Sequence, residues 1–568
     1  MAMCSAVSSR TDSSRLRYWE SSAFAWGSIR SPAGVRRICR CVRSNRQTPN
    51  SVSRCRIYLE AADWEIYSRS APEEKLSSSA TAVKASRLRI SMGNPPIPVW
   101  NMLSENGIDC KGYLHYNQNR IRHTRKNRQH AQTAADPGAA AKNRKDEKMM
   151  KTVYAFLAAN RYWPNRDRLK AVYQELCGRL CCEKNARLIT DGDTVALPEG
   201  DCVVIVPMSG AVQKRILDIA SPFRASVLYG AYISGNASDA AGQDMMRANA
   251  APTLMDTWAV LHRRSTHTLL ALNQAELGET LRVLEAYCYI NGATVLKIGQ
   301  TEPWVVSNAS DTGYYEDRFG VKIVPAAQEE LEDLFLATTR EQAATYFDWF
   351  TGHSQDCVEP TQEDIWNASR MACALVTLLE KYHAAGAALA CFNLLRTGTN
   401  VCLGVSYVNN STDMCVGCEC DMDSTITMLL MKKLTDTRLW MANPGIHPDG
   451  TINFSHCTSP VCCTGRAAHC ILRSHHESGI GVSLQVTMPE NCRVTACRIS
   501  NEAADVTIQL GTSVPGAYEE ACRTQMYVRF DDMAHYLDTV LGCHQVFAFE
   551  DISDRLHRIA DIFGLRVR

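Results

Sequence analysis

The chain has 568 residues, of which 45% are hydrophobic and 21% are charged, and its formal net charge is +1. This length and apolar content suffice for three or four domains with separate cores. The charge is unevenly spread, because residues 1–148 hold 26 Lys and Arg against 12 Asp and Glu, whereas residues 149–568 hold 35 against 48. The acidic body argues against a nucleic-acid-binding surface. The longest apolar runs fall short of the roughly 20 residues that a membrane span needs.

The 25 cysteines are better interpreted as reduced thiols than as a disulfide framework. Their number is odd, and a chain of this size does not need disulfides to make up for a small core. No secretory hydrophobic segment follows Met1. We therefore predict a cytoplasmic protein with free thiols and with neither a membrane nor a nucleic-acid partner.

Residues 1–148 differ from the rest of the chain, since they combine Ser/Arg clusters with a basic run at 120–128 and show no sustained helical or strand periodicity. Such a composition buries too little apolar surface to offset chain entropy, so we expect a disordered N-terminal extension. Alternatively, the natural start is Met149 or Met150, or the segment is a transit peptide, a tail or an unrecognised domain. The functional residues are expected after Met149.

From residue 149 onward, short buried strands alternate with helices, which indicates parallel sheets with helical crossovers. The apolar runs 153–158 and 202–207 belong to a first α/β domain, 149–268. A second α/β domain, 269–385, contains a strand at 294–298.

The second domain also contains a long amphipathic helix, which Thr361 and Asp364 are predicted to open as a capping box. After residue 385 the chain becomes rich in strands. The predicted fold is therefore α/β, with two Rossmann-like α/β domains followed by a β-rich, barrel-like C-terminal domain, 386–568. The runs that predict its strands are 388–392, 401–408, 439–442, 480–486, 493–499, 505–510 and 545–549.

A pair of carboxylates, Glu419 and Asp421, stands two positions apart just before a predicted helix. Asp421 could bind a cation while Glu419 supports it or accepts protons. Alternatively, Asp421 is only the N-cap of the helix, where a carboxylate stabilises the helix dipole.

Histidines form two further candidate sites. His456-Cys457-Thr458 and the segment 475–479 resemble loops that line a pocket. His544 lies where a helix gives way to a strand, a position from which an imidazole can reach a metal. Isolated histidines are, however, usually surface residues or satisfied core residues.

A competing interpretation rests on the thiols Cys415, Cys418 and Cys420. Their CxxCxC spacing could hold structural zinc or an iron–sulfur cluster. The chain is rich in cysteine throughout, so small buried thiols are the alternative.

Taken in order, the C-terminal motifs resemble the L-fucose isomerase-like family, which is related to the L-fucose and L-arabinose isomerases. The resemblance covers about 385–568 well and 149–384 only through the alternation of elements. The motifs that carry it are 418–434, Met441-Ala442-Asn443-Pro444, Asp449-Gly450, His456-Cys457-Thr458, 475–481 and Gly542-Cys543-His544.

This resemblance implies an aldose–ketose isomerase, an intramolecular oxidoreductase of carbohydrate metabolism that forms a trimer or hexamer. It implies a divalent metal, Mn²⁺ or Mg²⁺, and a reaction through an enediolate intermediate. By the family pattern Asp421 of the E-x-D motif is a metal ligand and His544 is another, although Cys543 replaces the usual Asn. The third ligand, a carboxylate in the family, is matched here by Asn393.

Asn393 is the departure that matters, because an amide can offer an oxygen to a cation but cannot take up a proton. Catalysis would then need Glu419, Asp421 or Glu477 as the base. His456, Arg523 and Glu477 are predicted to contact substrate hydroxyls. Two alternative functions stay open. The protein could be a catalytically weakened relative that only binds a sugar, or a protein that holds zinc or an iron–sulfur cluster through thiolates.

Overall fold

The structure of the protein is a computed structural model. It describes residues 150–568 except 194–195, 265–266, 309–310 and 466, together with the backbone of five strands nearer the N-terminus. The chain divides into two units, Met1–Gln132 and Thr133–Arg568. Two predictions concern residues that lie outside the described part, apart from those five strands. They are the disorder of 1–148 and the alternative start at Met149.

The first unit contains two small antiparallel sheets. One of them pairs Trp26–Arg30 with Arg36–Arg40. The other joins Val52–Leu59, Ala62–Arg69 and Arg89–Ile90.

The second unit begins with a five-stranded parallel sheet flanked by helices. Its strand order is β2-β1-β3-β4-β5. This is a doubly wound order, in which β2 is added on one side of β1 and the later strands are added on the other side. The third strand is buried along its whole length, as its continuous Val/Ile run predicts for a strand covered on both faces. The elements are β1 (Thr152–Ala158), a 3-10 turn (Asn160–Tyr162), α1 (Arg166–Leu180), β2 (Ala186–Thr190), β3 (Cys202–Pro207), α2 (Gln213–Ala220), β4 (Ala225–Tyr229), α3 (Asp239–Arg247), α4 (Ala250–Arg264) and β5 (Thr268–Ala271).

A four-stranded parallel sheet follows, with the order β7-β6-β9-β10. It repeats the order of the first four strands of the preceding sheet, and it extends past residue 385 because its last two strands are 386–389 and 415–417. The elements are α5 (Gln274–Ile290), β6 (Thr294–Ile298), α6 (Gly313–Phe319), β7 (Lys322–Ala326), α7 (Gln328–Ala337), α8 (Arg340–His353), β8 (Asp356–Cys357), α9 (Gln362–Lys381), β9 (Gly386–Leu389), a 3-10 turn (Phe392–Thr397), α10 (Cys402–Ser411), β10 (Cys415–Gly417) and α11 (Met422–Lys432).

Two local predictions in this region have opposite outcomes. Helix α9 does begin with a capping box, in which Thr361 and Asp364 bond each other's backbone N–H groups. The predicted strand at 401–408 is wrong, because this segment lies almost entirely within helix α10. Eight of the ten residues of α10 are buried, the polar Ser406, Asn409 and Asn410 among them, so the helix lacks the apolar stripe opposite a solvated polar face that marks a surface helix.

The C-terminal region is dominated by a closed antiparallel barrel. Six strands pair in the order β15-β18-β11-β12-β17-β16, and β16 pairs back with β15. A final strand adds to β16 in parallel, and a separate three-stranded sheet has the order β8-β13-β14. The elements are β11 (Trp440–Ile446), β12 (Ile452–His456), β13 (Cys470–Arg473), β14 (Ser483–Val486), β15 (Arg493–Ser500), β16 (Asp505–Val514), β17 (Thr524–Phe530), α12 (Met533–Thr539), β18 (Gln545–Ala548), α13 (Ser553–Phe563) and β19 (Arg566–Val567).

Aromatic side chains fill the barrel. Phe454 packs edge-to-face against Phe547 and Phe530, with ring centroids 4.6 and 6.0 Å apart. The prediction of parallel α/β sheets followed by a β-rich C-terminal region is thus confirmed. In the part of the chain that the structure describes, no helix combines the length and the apolar content that crossing a bilayer requires.

Candidate metal site

Three loops carry polar side chains to the carboxyl edge of the second parallel sheet. The loop after β6 carries Glu302 and Trp304, the segment after β9 carries Asn393, and the loop after β10 carries Glu419. Carboxyl ends of parallel strands meet at one edge, and the point where a doubly wound sheet reverses is the usual place for a ligand.

The barrel supplies two imidazoles to the same place. His456 is the last residue of β12, and His544 directly precedes β18. Both side chains are buried, and their ring centroids are 5.7 Å apart. Together with Glu419 they form a buried group whose potential ligand atoms all lie within 4.8 Å of one another. One carboxylate and two imidazoles are a donor set suited to a divalent ion.

The loop before α11 has an unusual backbone that turns Glu419 towards the imidazoles. Glu419 and Cys420 have φ values of 58° and 50°, in the left-handed region that L-residues rarely adopt. Backbone hydrogen bonds on both sides hold the loop there, since Cys420 N donates to Leu389 O and Glu302 N donates to Glu419 O. The strain is therefore concentrated at the residue that faces the histidines.

Asp421 is engaged by protein donors rather than free for a cation. Its Oδ1 accepts the Ser424 N–H at 3.0 Å and thereby caps α11. Its Oδ2 accepts from the Ser424 hydroxyl, from Arg498 Nη1 and from His544 Nδ1, each at 2.9 Å. Burial raises the pKa of Asp421, but Arg498 and the bond with His544 outweigh burial and hold this pKa well below its ordinary range.

The bond to Asp421 determines which nitrogen of His544 is available. Nδ1 donates its proton to the carboxylate, so Nε2 is the nitrogen that can offer a lone pair to a ligand once its own proton has left. Nε2 is buried, lacks a hydrogen-bond partner and lies 3.4 Å from Glu419 Oε1. Burial lowers the pKa of His544, but the bond with Asp421, the neighbouring Cys543 and the nearby Glu419 carboxylate raise it well above its usual value. A cation bound at Nε2 would have to displace a proton.

The pKa of His456 is shifted in the opposite direction from that of His544. Burial, together with the neighbouring His544, lowers the pKa of His456 to about 4, so this imidazole is neutral at physiological pH. Its Nδ1 accepts the Thr458 backbone N–H at 3.2 Å and lies 2.9 Å from the Thr458 hydroxyl. The ring proton of this neutral imidazole is therefore on Nε2, and a cation bound there would have to displace it. The buried, unpartnered Nε2 of His544, the neutral His456 and the ionised Glu419 all fit a bound divalent ion.

Asp423 and Arg498 extend the network behind the site. Arg498 is fully buried and pairs with Asp421 at 2.9 Å and with Asp423 at 3.6 Å. Asp423 also accepts bonds from the hydroxyls of Tyr315 and Ser500. Burial raises the pKa of Asp423 to about 6 despite the nearby guanidinium, with the charge of Asp421 acting in the same direction.

Three other predicted site residues, Asn393, Glu477 and Arg523, do not belong to the group formed by Glu419 and the two imidazoles. Asn393 is exposed and lines a cavity of about 810 Å³ together with Lys297 and Gln300. Glu477 is exposed as well. Arg523 donates to the backbone and hydroxyl oxygens of Ser474, at 2.8 and 3.1 Å.

Two residues beside the metal-ligand group were absent from the sequence prediction. Glu302 is buried, and its Oε1 has no hydrogen-bond partner. Burial and the charge of Glu419 raise the pKa of Glu302, although a bond from the Phe392 backbone opposes them. Trp304 is half exposed, donates its indole N–H to Glu419 Oε2 at 2.7 Å and packs edge-to-face on Phe392. Their position just after a parallel strand is the signal that could have found them.

The predicted thiolate site is not assembled. Within the described residues, Cys415, Cys418 and Cys420 belong to no group of ligand atoms close enough to share an ion. Cys418 instead meets the Thr458 hydroxyl, and Cys420 donates to the backbone oxygens of Ala388 and Gly299.

The carboxylate–imidazole group is therefore the metal-ligand arrangement that the described residues offer, and its geometry is the basis for assigning a function. A scan against protein-family models and a search of curated proteins find no match to the chain.

Proposed function

We propose that the protein is a metal-dependent aldose–ketose isomerase that acts through an enediolate. The observation that carries the proposal is the buried group Glu419, His456 and His544, with the unpartnered Nε2 of His544 at its centre. Its ligands are oxygen and imidazole nitrogen, which favours Mn²⁺ or Mg²⁺ over metals that prefer thiolates. A divalent ion held by these residues would stabilise negative charge on two neighbouring substrate oxygens.

In this proposal Asp421 is a positioning residue rather than a ligand. It holds the Nδ1 proton of His544 and thereby keeps Nε2 directed at the ion. Arg498 neutralises the Asp421 charge in the buried network, so the carboxylate is held in place without binding the ion itself.

Moving a carbonyl from C1 to C2 also requires a base that removes a proton from carbon and returns it to the neighbouring carbon. Asn393 cannot do so, Glu477 is exposed, and both oxygens of Asp421 are occupied. Glu302 is the better candidate, since it offers a buried, unpartnered carboxylate oxygen next to the Glu419 loop. Proton transfer by such a group typically contributes ~10²–10⁴-fold.

The exposed aromatic edge beside the ligands is consistent with a sugar substrate. Trp304 and Phe392 present rings against which the C–H face of a sugar can lie. His475 packs against Phe392 and would complete this wall. Contacts from His456, Arg523 and Glu477 to substrate hydroxyls remain part of the proposal.

Several broader features belong to the same proposal. The two parallel sheets would form two Rossmann-like domains, and the protein would work in the cytoplasm as a trimer or hexamer. All cysteines in the described part of the chain are free thiols, which supports a reducing compartment.

The direct test is turnover by the full chain on a panel of aldopentoses and deoxyhexoses with Mn²⁺. We expect ketose that disappears with a chelator and returns with added metal. Glu302→Gln should lower turnover at least about 100-fold while Mn²⁺ binding persists. The proposal fails if the metal-loaded, folded protein converts none of the sugars. Binding of a sugar without turnover would favour the sugar-binding relative, to which the neutral Asn393 points.

A further inference from the structure

A lysine lies inside β6, where the fold gives it no charged partner. Lys297 stands between the buried Leu296 and Ile298, and β6 pairs on both sides, with β7 and with β9. Central strands of parallel sheets normally carry apolar residues throughout, because both of their faces are covered. Among the residues that the structure describes, none forms an ion pair with Lys297. A partly buried ammonium group without a counter-charge is costly, and such a position is typical of a lysine that binds an anion.

Lys297 lines the cavity of about 810 Å³ in the second parallel sheet. This cavity lies at the carboxyl edge of the sheet, because Gly299, which directly follows β6, and Ala326, which ends β7, also line it. Its volume is in the range of sites that bind small molecules. None of the described residues that line it belongs to the proposed metal-ligand group, so a ligand in the cavity need not touch the metal.

Helix α7 begins at the wall of this cavity with its first N–H groups uncapped. Its N-cap, Ala327, lines the cavity and has no side-chain oxygen that could accept them. The first turn carries two carboxylates, and both are paired with basic residues. Glu329 pairs with Arg396 at 3.3 Å, and Glu330 pairs with Lys381 at 2.7 Å. Their charges are thus balanced locally, and the N–H groups of the helix can donate to an anion.

The first residue of α7, Gln328, adds a buried acceptor to the same wall. Gln328 lines the cavity and is only 8% exposed. Its Nε2 donates to Ala390 O at 2.6 Å, which fixes the amide and leaves Oε1 without a hydrogen bond from the described residues. Oε1 lies 3.4 Å from the position that a Cβ at Gly299 would take, so the glycine keeps the space beside this oxygen open. A buried amide oxygen without a partner can accept from a ligand hydroxyl.

We propose that this cavity binds a phosphorylated sugar. Lys297 and the first N–H groups of α7 hold the phosphate, which accepts from several donors at once. Gln328 Oε1 accepts from a sugar hydroxyl, and so does Asp311, which lines the cavity and uses Oδ1 to accept a backbone N–H at 2.8 Å. The amides of Gln300 and Asn393 complete the polar lining. The inference does not depend on the isomerase proposal, because binding needs neither the metal nor turnover.

The test is calorimetric titration of the metal-free full chain with inorganic phosphate, aldopentose and aldohexose phosphates, the corresponding free sugars, and glucuronate. We expect at least one sugar phosphate to bind at least about tenfold more tightly than inorganic phosphate and than its own free sugar. Lys297→Met keeps the apolar stem but removes the charge, and it should weaken this binding at least about tenfold. Lys322→Met, the matched control at the exposed start of the neighbouring strand β7, should bind as the unaltered chain does.

A measurement on the unaltered chain decides the question even if a variant fails to fold. Reductive methylation labels lysine amines, and peptide mapping by mass spectrometry reports each position. At a concentration about ten times its Kd, the sugar phosphate should slow the labelling of Lys297 about tenfold. The labelling of Lys322 should not change.

The proposal is overturned if no phosphate binds at up to about 10 mM, or if neither Lys297→Met nor the labelling of Lys297 shows an effect. Equal affinity for inorganic phosphate and for every sugar phosphate would overturn the assignment to a sugar. Tighter binding of glucuronate than of the sugar phosphates would overturn the assignment to a phosphate. Turnover enters none of these outcomes, so failure of the isomerase proposal is seen separately.

Discussion

Glu419 and Asp421 stand two positions apart, yet the fold gives them different tasks. Asp421 caps α11, pairs with Arg498 and holds His544, while Glu419 turns away on a left-handed backbone to face the imidazoles. Sequence can show that two carboxylates are near each other. It cannot show which of them is already occupied by donors, because Arg498 comes from a strand 77 positions further along the chain.

Glu419 should be required for metal binding. Replacing Glu419 with Gln removes the only carboxylate of the group, and we expect Mn²⁺ to bind more than about 100-fold more weakly. This exceeds the roughly 10- to 100-fold loss that follows removal of a residue that only hydrogen-bonds a ligand. Electron paramagnetic resonance of free Mn²⁺ measures this directly. Glu477→Gln, an exposed control of the same chemistry, should bind as the unaltered chain does, and equal binding by Glu419→Gln would refute the site.

Asp421 should affect metal binding, through its bond to His544, and also the stability of the fold. Asp421→Asn puts an N–H₂ group where Oδ2 accepts from three donors, so Arg498 loses its closest partner and the His544 tautomer is no longer held. We expect Mn²⁺ affinity to fall about 10- to 100-fold and the free energy of unfolding to fall by roughly 3 kcal/mol. Calorimetry and Mn²⁺ titration measure the two effects, and unchanged values for both would contradict the positioning role.

The lowered pKa of His456 predicts how the stability of the metal-free protein depends on pH. Its pKa is about 4 in the folded chain and about 6.5 when unfolded, so the unfolded state binds the extra proton between these values. His456 therefore contributes a loss of stability as the pH drops through this window, of up to roughly 3 kcal/mol. Asp423 opposes this loss, because its raised pKa of about 6 makes the folded state take up a proton in the same range. The His456 share is isolated by comparison with His456→Gln, whose stability should rise relative to the unaltered chain as the pH falls, in urea titrations with chelator present. A variant with the same slope would show that another group is responsible.

At the scale of elements, close contact between β9 and β10 sets the position of the Glu419 loop. Gly386 pairs with Cys415, and a Cβ at Gly386 would lie 2.3 Å from the Cys415 carbonyl oxygen. No side chain can occupy that space unless the strands separate. The loops that follow these two strands carry Asn393 and Glu419, so their spacing depends on this contact.

Gly386→Ala should therefore destabilise the protein by roughly 1–3 kcal/mol and weaken Mn²⁺ binding as well. Gly352→Ala is the matched control, because nothing lies within 4 Å of the added methyl group and the residue is inside helix α8. That control should be neutral or stabilising by up to about 1 kcal/mol. Thermal unfolding compares the two variants, and equal melting temperatures would refute the argument.

The elements also show what could be predicted from sequence. The buried Val/Ile run of β3 and the capping box of α9 are local signals, and both were recognised. The helix α10 was mistaken for a strand because it is mostly buried and lacks the apolar stripe opposite a solvated polar face that identifies a surface helix. Glu302 was overlooked because its importance comes from the meeting of loops, which depends on the sheet order rather than on the local sequence.

At the scale of the whole molecule, the site depends on two different architectures. The parallel sheet supplies Glu419 and Glu302, and the closed barrel supplies His456 and His544. The barrel has no free edge among its six strands, which makes it a rigid support for the two imidazoles. Holding ligands on rigid elements is what a precise metal site requires.

The central claim is that these residues support metal-dependent proton transfer on a sugar. The most direct measurement incubates the full chain and Mn²⁺ with candidate aldoses in D₂O, stops the reaction with a chelator and records proton NMR. We predict ketose signals, deuterium on the carbon that receives the proton, and neither effect when the chelator is present from the start. If Mn²⁺ is bound, yet no aldose loses its C2–H signal and no ketose forms, the claim is contradicted.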